Sequence, residues 1–343
     1  MKRLLNTLYV TTQGAYLHRE GETVMVTLDG EVKLKIPVHT LQGIVCFGHV
    51  TMSPPLMGLC AERNVLVSFL SQNGRFLARI QGPVSGNVIL RKEQYKRAEQ
   101  EESALKIARA TVISKIHNYR VVLMRALREH PDTPSAKVLK ESSDHLFEIL
   151  QSIGNISSLQ SLRGIEGEAT RKYFEVFDHL ILSQKEDFVF RERNRRPPLD
   201  NVNALLSFLY SILEHDVSSA LETVGLDPES GFLHTDRSGR RSLALDLMEE
   251  FRAYLVDRLI LSLINLKQIS GDGFIKSETG AILMNDDTRK KVLISYQNRK
   301  SEEITHPFLN EKIEIGLLPY AQALLLARYI RGDLDGYPPF MWK

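Results

Sequence analysis

Glu166 stands between two glycines in Gly164-Ile-Glu-Gly-Glu168. The surrounding pattern is helical, and Gly costs a helix interior about 1 kcal/mol relative to Ala. Glycines at this spacing make sense where another backbone or a phosphate must come close. The plainer alternative is a helix N-terminus with acidic residues in its first turn. A second stretch is denser in chemistry: Gly231-Phe-Leu-His234-Thr-Asp-Arg237-Ser-Gly-Arg240-Arg241-Ser242-Leu-Ala-Leu-Asp246-Leu-Met-Glu249-Glu250-Phe-Arg252. Ser242 reads as the cap of a helix with the apolar stripe Ala244, Met248, Phe251, Leu255 and Leu259. Asp246, Glu249 and Glu250 then share the neighbouring face, since spacings of three and four project together. Carboxylates on one stripe repel unless a cation compensates. His234 lies in the loop before that helix, and neutral imidazole is a common metal ligand. His with carboxylates is a hard donor set that suits Mg²⁺ or Mn²⁺ better than structural zinc. Arg237, Arg240 and Arg241 suit phosphate oxygens, which a guanidinium grips with two parallel hydrogen bonds. A solvated charged face with an incidental His is the bland alternative.

A third constellation is basic. Arg191-Glu-Arg193-Asn-Arg195-Arg196 puts four arginines in six residues, just before Pro197-Pro198. Residues 86–130 add ten Lys/Arg against five Glu. Such segments can track a phosphate backbone. A solvated helix face is the more frequent use of such charge.

These residues need elements to hold them. Residues 1 to about 85 read as strands. Thr7-Leu-Tyr-Val-Thr-Thr, Thr23-Val-Met-Val-Thr-Leu and Val32-Lys-Leu-Lys-Ile alternate apolar and polar residues. Asp29-Gly30 and Asn73-Gly74 signal hairpins. Ser53-Pro-Pro opens one short helix, with Ser as cap and Pro in the first turn. Gly82-Pro83 and Gly86 mark a boundary. Beyond it the apolar period becomes 3.6 residues. Helices are predicted at about 89–129, 136–153, 157–182, 200–224, 242–268, 286–300 and 316–332. The predicted fold is α+β with two domains: a small N-terminal β domain over 1–85 and a large all-α domain over 86–343.

Composition narrows the function classes. The chain has 343 residues, 43% hydrophobic and 25% charged, as in an ordinary globular protein. Lys+Arg is 44 against Asp+Glu 42, so no whole-chain basic field announces nucleic acid, and any basic surface is local. Cys46 and Cys60 both sit in apolar company and form no paired zinc spacing. The first 30 residues lack a signal-peptide architecture, and no apolar run approaches the ~18 residues of a membrane span. A soluble, intracellular protein is expected. Phosphate-loop, nucleophile-elbow and His-Glu-x-x-His motifs are absent, which disfavours a nucleotide-driven motor and a serine hydrolase.

The sequence resembles the CRISPR-associated adaptation endonuclease/integrase, the first-numbered Cas protein family. The resemblance runs through Ile36-Pro-Val-His-Thr-Leu, Ser53-Pro-Pro-Leu, Phe69-Leu-Ser-Gln-Asn-Gly-Arg-Phe, Arg163-Gly-Ile-Glu-Gly-Glu-Ala, Arg196-Pro-Pro-Leu-Asp-Asn-Val-Asn-Ala-Leu-Leu-Ser-Phe-Leu-Tyr, Gly231-Phe-Leu-His and Ser242-Leu-Ala-Leu-Asp-Leu-Met-Glu-Glu-Phe-Arg. Their order and spacing together make it specific, and the texture is most similar to the branch accompanying type I systems, subtype C. The resemblance implies a homodimer formed through the β domain and one divalent-metal site, Mg²⁺ or Mn²⁺, in the helical domain. Its ligand positions fall on Glu166, His234 and Glu249. Asp246 falls on a second acidic position required for activity, and whether it or Glu249 is the direct third ligand stays open. Tyr210 and Asn203 match a motif near the site and are expected, with Arg237, Arg240 and Arg241, to lie near bound DNA. The implied activity is antiviral: insertion of short foreign DNA fragments into a CRISPR array by 3′-hydroxyl attack on a repeat phosphodiester. The implied partners are double-stranded, branched and single-stranded DNA and a dimer of the small second-numbered Cas protein bridging two dimers. Two alternatives are a metal-dependent nuclease for branched DNA repair intermediates and a non-catalytic DNA-binding scaffold.

Overall fold

The computed structural model describes residues 7–63, 65–72, 74, 76–80, 82 and 88–342. The chain divides into two units. The first comprises Met1–Gly86 and Met284–Glu302, the second Asn87–Leu283 and Glu303–Lys343.

The first unit holds two four-stranded sheets. One has the order β1 (Thr7–Val10), β5 (Gly43–Phe47), β7 (Leu66–Leu70), β8 (Phe76–Ile80), and the other β4 (Glu31–Pro37), β3 (Thr23–Leu28), β2 (Tyr16–Glu20), β6 (Thr51–Met52). Asp29 and Gly30 both take positive φ, 50° and 80°, as the turn between β3 and β4 demands. β7 and β8 pair antiparallel around the expected second turn, where Gly74 takes φ 82°. Asn73 itself and Pro83–Gly86 lie outside the described residues. Helix α1 (Pro54–Glu62) begins on Ser53, whose hydroxyl accepts from the Leu56 N–H. Leu17, Val24, Ile44, Val67, Leu56 and Leu59, from both sheets and α1, meet in one core. Cys46 and Cys60 are buried in it as free thiols. Burial pushes their pKa values to about 12 and about 11, so neither is a thiolate nucleophile at neutral pH.

The second unit is mostly helical: α2 (Val88–Glu99), α3 (Glu101–Glu129), α4 (Ala136–Ser152), α5 (Leu159–Glu175), α6 (Asn201–Val224), α7 (Ser242–Met248), α8 (Arg258–Asn265) and α10 (Leu318–Arg331), with α9 (Asp286–Ser301) assigned to the first unit. Residues 86–343 are not all-α as expected: β9 (Phe274–Lys276) pairs with β10 (Ile282–Met284) and β11 (Glu303–Thr305) with β12 (Lys312–Glu314), strands of three residues that are too short to leave a periodic signal in the sequence. The periodicity places that helix correctly but cannot say which core it serves. Arg289 of α9 is 2% exposed and donates to the Gln72 carbonyl and Asp286. α6 starts on Asp200, whose carboxylate accepts from the Asn203 N–H, and stops at Gly225 with φ 88°.

Two departures from the periodic reading matter for the site. The expected 242–268 helix is not continuous. After α7 the chain passes through a turn at 249–251 and a π-helical segment, Arg252–Asp257, before α8. Ser242 is the first helical residue rather than the cap, and its hydroxyl donates to the Thr235 carbonyl. Among the described residues no helix is long and apolar enough to cross a membrane.

Candidate active site

Three segments far apart in sequence meet around one lysine. Glu166 lies midway along α5, not at its N-terminus, with its side chain 24% exposed. A Cβ on Gly164 or Gly167 would meet nothing within 4 Å among the described residues, so the glycines keep this stretch of helix bare. Glu249 opens the turn after α7 and is 3% exposed. Between the two carboxylates sits the ammonium of Lys115 from α3, 2% exposed. It donates to Glu166 Oε1 and lies 2.8 Å from Glu249 Oε2. No hydrogen bond of good direction reaches Glu249 Oε2. Arg252 takes the other oxygen, Oε1, at 3.1 Å.

The electrostatics follow from these contacts. Burial would raise the Glu249 pKa, but Arg252, then Lys115 and His234, outweigh it and hold the carboxyl at about 2. Lys115 is likewise disfavoured by burial, and Glu249, Tyr119 and Glu166 together keep its pKa above the ordinary value. Both groups are therefore ionised at neutral pH.

His234 is held by a carboxylate. Asp246 Oδ1 accepts from the His234 ring at 2.6 Å (Nδ1) and from its backbone N–H at 2.9 Å. Asp246 Oδ2 accepts from the backbone N–H groups of Phe232 and Leu233 at 2.6 and 2.8 Å. Gly231 is what lets this loop lie on Asp246: a Cβ there would stand 2.9 Å from Asp246 Oδ2 and 2.7 Å from Ser242 Cβ. Arg163 of α5 donates to the Leu233 carbonyl at 2.5 Å, tying the Glu166 helix to the His234 loop.

The end of α7 at Met248, ahead of the turn at 249–251 and the π-helical segment, corrects the shared stripe expected for Asp246, Glu249 and Glu250. Each faces a different partner. Asp246 is spent on the His234 loop, Glu249 on Lys115 and Arg252, and Glu250 on the C-terminal residues Tyr337 and Phe340. Asp257, at the end of the segment, accepts from Tyr210 and Tyr173 hydroxyls at 2.7 and 3.1 Å.

The expected arginines gather into one cavity of about 680 Å³. Arg193, Arg195 and Arg196 line it from the loop before α6; Arg237, Arg240 and Arg241 line it from the loop before α7. Arg252 lines it too, and its pairing with Glu249 joins cavity to carboxylates. Glu214 is the one acidic side chain among the described lining residues, 3.8 Å from Arg241. Tyr210 lines the cavity with its ring beneath Arg252 and Arg193, at 4.8 and 5.5 Å. Asn203 does not reach it. The residue is fully buried, accepting from Arg193 at 2.6 Å and donating to Asp200 and the Glu192 carbonyl. Its work is to hold the arginine loop.

Sequence reasoning missed the roles of Lys115 and Arg252. Lys115 is one of ten cations in a basic stretch, and three of the others serve their own helices: Arg97–Glu93, Lys106–Glu102 and Arg125–Glu129 are i,i+4 pairs.

The donor set fits a hard divalent cation. Glu249 Oε2 is a buried carboxylate oxygen without a directed hydrogen bond, and Asp246 fixes His234 through Nδ1 as an outer-shell carboxylate does, leaving Nε2 free to ligate. Asp246, with both oxygens taken twice, is the poorer ligand. As the side chains stand, no three His, Cys, Asp or Glu residues among those described converge tightly enough to chelate an ion. The Lys115 ammonium separates the two glutamates instead.

The carboxyl groups give a pH dependence with a definite sign. Burial raises Glu250 to about 7 and Asp257 to about 6, against hydrogen bonds that pull both down. Their stabilising contribution is complete below their ordinary values and is lost as pH rises through 6–7. Glu249 works the other way: its contribution is complete above about 4.5 and is lost as pH falls toward 2. The melting temperature is therefore expected to be higher near pH 5 than at pH 8 and to drop below pH 4, as scanning calorimetry across that range will show.

A strand-rich unit followed by a mostly helical one is the fold of the CRISPR-associated Cas1 proteins. The family model described as CRISPR associated protein Cas1 matches residues 8–298, and the chain belongs to that family. It is 54% identical over 343 residues, all of both chains, to CRISPR-associated endonuclease Cas1 1 of Chlorobaculum tepidum. Among solved structures it is similar to a Cas1 protein from Thermotoga maritima, with TM-score 0.82, 25% identity, and 96% of this chain and 99% of that one covered. It is also similar to a chain of a Cas6-RT-Cas1–Cas2 complex, with TM-score 0.85, 25% identity, and 100% of this chain and 36% of that one covered. The α+β fold expected from the sequence is the fold of these relatives.

Proposed function

We propose that the chain is a divalent-metal-dependent DNA endonuclease and integrase of CRISPR adaptation, accompanying a type I system of subtype C. The observation that carries this reading is one arrangement: Glu166, Glu249 and an Asp246-oriented His234 beside a cavity lined by seven arginines. Mg²⁺ or Mn²⁺ held by Glu166, Glu249 and His234 supplies Lewis-acid stabilisation of charge on the reacting phosphate. The rest is the chain's own chemistry. The arginine cavity binds the DNA backbone and fixes the scissile phosphodiester against the site. Arg252 spans both, keeping Glu249 ionised while facing the cavity. Asp246 holds His234 in one tautomer and orientation. Attack by a fragment's 3′-hydroxyl on a repeat phosphodiester forms a new P–O bond, breaks the old one and releases the 3′-hydroxyl of the repeat strand; attack by water breaks the same bond and leaves a phosphate end and a hydroxyl end. The likeness to a chain of a Cas6-RT-Cas1–Cas2 complex supports the small Cas2 protein as partner. In this reading a Cas2 dimer bridges two homodimers of the chain.

The test is insertion into a supercoiled plasmid carrying a CRISPR repeat, with and without the Cas2 partner. Partner-dependent joining at the repeat supports integration. Cleavage of a branched duplex with no joining under any condition makes the protein a repair-type nuclease. The cavity has its own test. Arg195→Ala and Arg237→Ala, both at exposed positions, are expected to weaken DNA binding several-fold irrespective of sequence. Each also lowers the slope of log affinity against log salt by about 1. Fluorescence anisotropy over a salt series checks this, and an unchanged slope removes these residues from the DNA path.

A further inference from the structure

The C-terminal residues 337–342 are fastened beside both Lys115 and the turn that Glu249 opens. Glu250, the residue after Glu249, is fully buried. Its oxygens accept from the Tyr337 hydroxyl at 2.6 Å, the Phe340 N–H at 2.7 Å and the Gln322 amide at 2.9 Å. Burying a carboxylate is costly, and an apolar side chain would fill the space more cheaply. The carboxylate is explained by the directed bonds it makes. On α3 the anchors flank Lys115. Ser114 donates to the Phe340 carbonyl, and His117 Nε2 lies 2.8 Å from the Trp342 carbonyl. Asn118 is the knot. Its amide donates to the Glu250 and Phe340 carbonyls at 2.8 and 2.9 Å, and its oxygen accepts from the Trp342 N–H at 2.9 Å. The Arg258 guanidinium covers the Trp342 ring at 4.2 Å.

The turn so fastened is where regular helix stops. The Glu249 and Glu250 N–H groups make only three-residue bonds, at 3.2 and 3.3 Å, to Asp246 and Leu247 carbonyls. Regular helical bonding therefore does not set the position of Glu249, and the C-terminal residues supply the missing restraint.

The geometry points to a positioning role for the C-terminal strap, residues 337–342: through Glu250 and Asn118 it holds the Glu249 turn against α3 and so fixes the spacing of Glu249, Lys115 and Glu166. This inference rests on the metal-site reading above. It predicts that loosening the strap weakens the site chemically without touching the DNA path. Full-length Glu250→Gln and Tyr337→Phe are the variants. Mn²⁺ affinity is measured by calorimetry, and kcat and KM for a branched duplex by single- and multiple-turnover cleavage, both well below the melting temperature of each variant. Glu250→Gln is expected to bind Mn²⁺ about 10–100-fold more weakly, as loss of an outer-shell partner does. Its kcat falls with KM for DNA unchanged, and Tyr337→Phe shifts the same quantities several-fold. If Glu250→Gln fails to fold, Tyr337→Phe decides, since it keeps the ring and removes one hydroxyl. Variants that melt earlier but keep wild-type Mn²⁺ affinity and kcat overturn the inference, leaving the strap a stability element only. If the wild type itself binds no Mn²⁺, the metal reading fails, and the strap is then judged by kcat against KM alone.

Discussion

Glu166→Ala is expected to fold, to bind DNA with near wild-type affinity, and to lose strand cleavage and joining by at least about 10³-fold. Bound metal contributes several kcal/mol to phosphoryl transfer, and each 1.36 kcal/mol is a factor of ten. Folding survives because Glu166 is the more exposed of the two carboxylates around Lys115 and forms no part of the apolar core. DNA binding survives because Glu166 does not line the arginine cavity. A gel assay on a labelled branched duplex, run in Mg²⁺, Mn²⁺ or EDTA, separates the effects. Loss of activity with retained binding assigns Glu166 to the chemistry. A wild type that binds DNA yet neither cuts nor joins it in any metal makes the protein a scaffold.

Lys115→Met is expected to be the most destabilising single change at the site, and divalent metal to repair it. Removing the ammonium leaves Glu249, 3% exposed, with Arg252 alone, and Glu166 with no cation. Breaking a buried ion pair from one side costs about 3–5 kcal/mol. In EDTA this lowers the melting temperature on the order of 10 °C for a unit of this size. A ligand that binds only the folded state stabilises it by mass action. The variant's melting temperature is therefore expected to rise more on adding millimolar Mn²⁺ than the wild type's, because in the wild type the ion must first displace Lys115. Equal increments in the two proteins contradict competition between ammonium and metal for the same carboxylates.

Much of this was legible locally. Asp29-Gly30 demanded a turn, Ser53-Pro-Pro a helix start, and the 3.6-residue period most of the helices, because each of those signals depends on neighbours in sequence. Gly231, His234, Asp246 and Glu249 were all singled out. What the sequence could not show is how they are shared out. The stripe argument placed Asp246, Glu249 and Glu250 on one face because it assumed an unbroken α-helix. Regular helix ends at Met248, the turn at 249–251 breaks that register, and each carboxylate finds its own cations or N–H groups. Lys115 looked like one more helix-surface cation, since nothing within four residues reveals that Glu166 and Glu249 close over it. The two arginine clusters lie some forty residues apart, and only the packing of α6 against α7 turns them into one cavity. The C-terminal residues could equally have been free to meet DNA. The hydrogen bonds of Tyr337, Phe340 and Trp342 fasten them to the body instead.

The assignment of the metal ligands is tested most directly by a crystal of the wild-type protein grown with Mn²⁺ and measured at the manganese absorption edge. The expected result is one anomalous peak about 2.1 Å from oxygens of Glu166 and Glu249 and from His234 Nε2, with Lys115 withdrawn and Asp246 still on His234 Nδ1. A peak bound elsewhere, or no peak with Lys115 still between the two glutamates at saturating Mn²⁺, contradicts it.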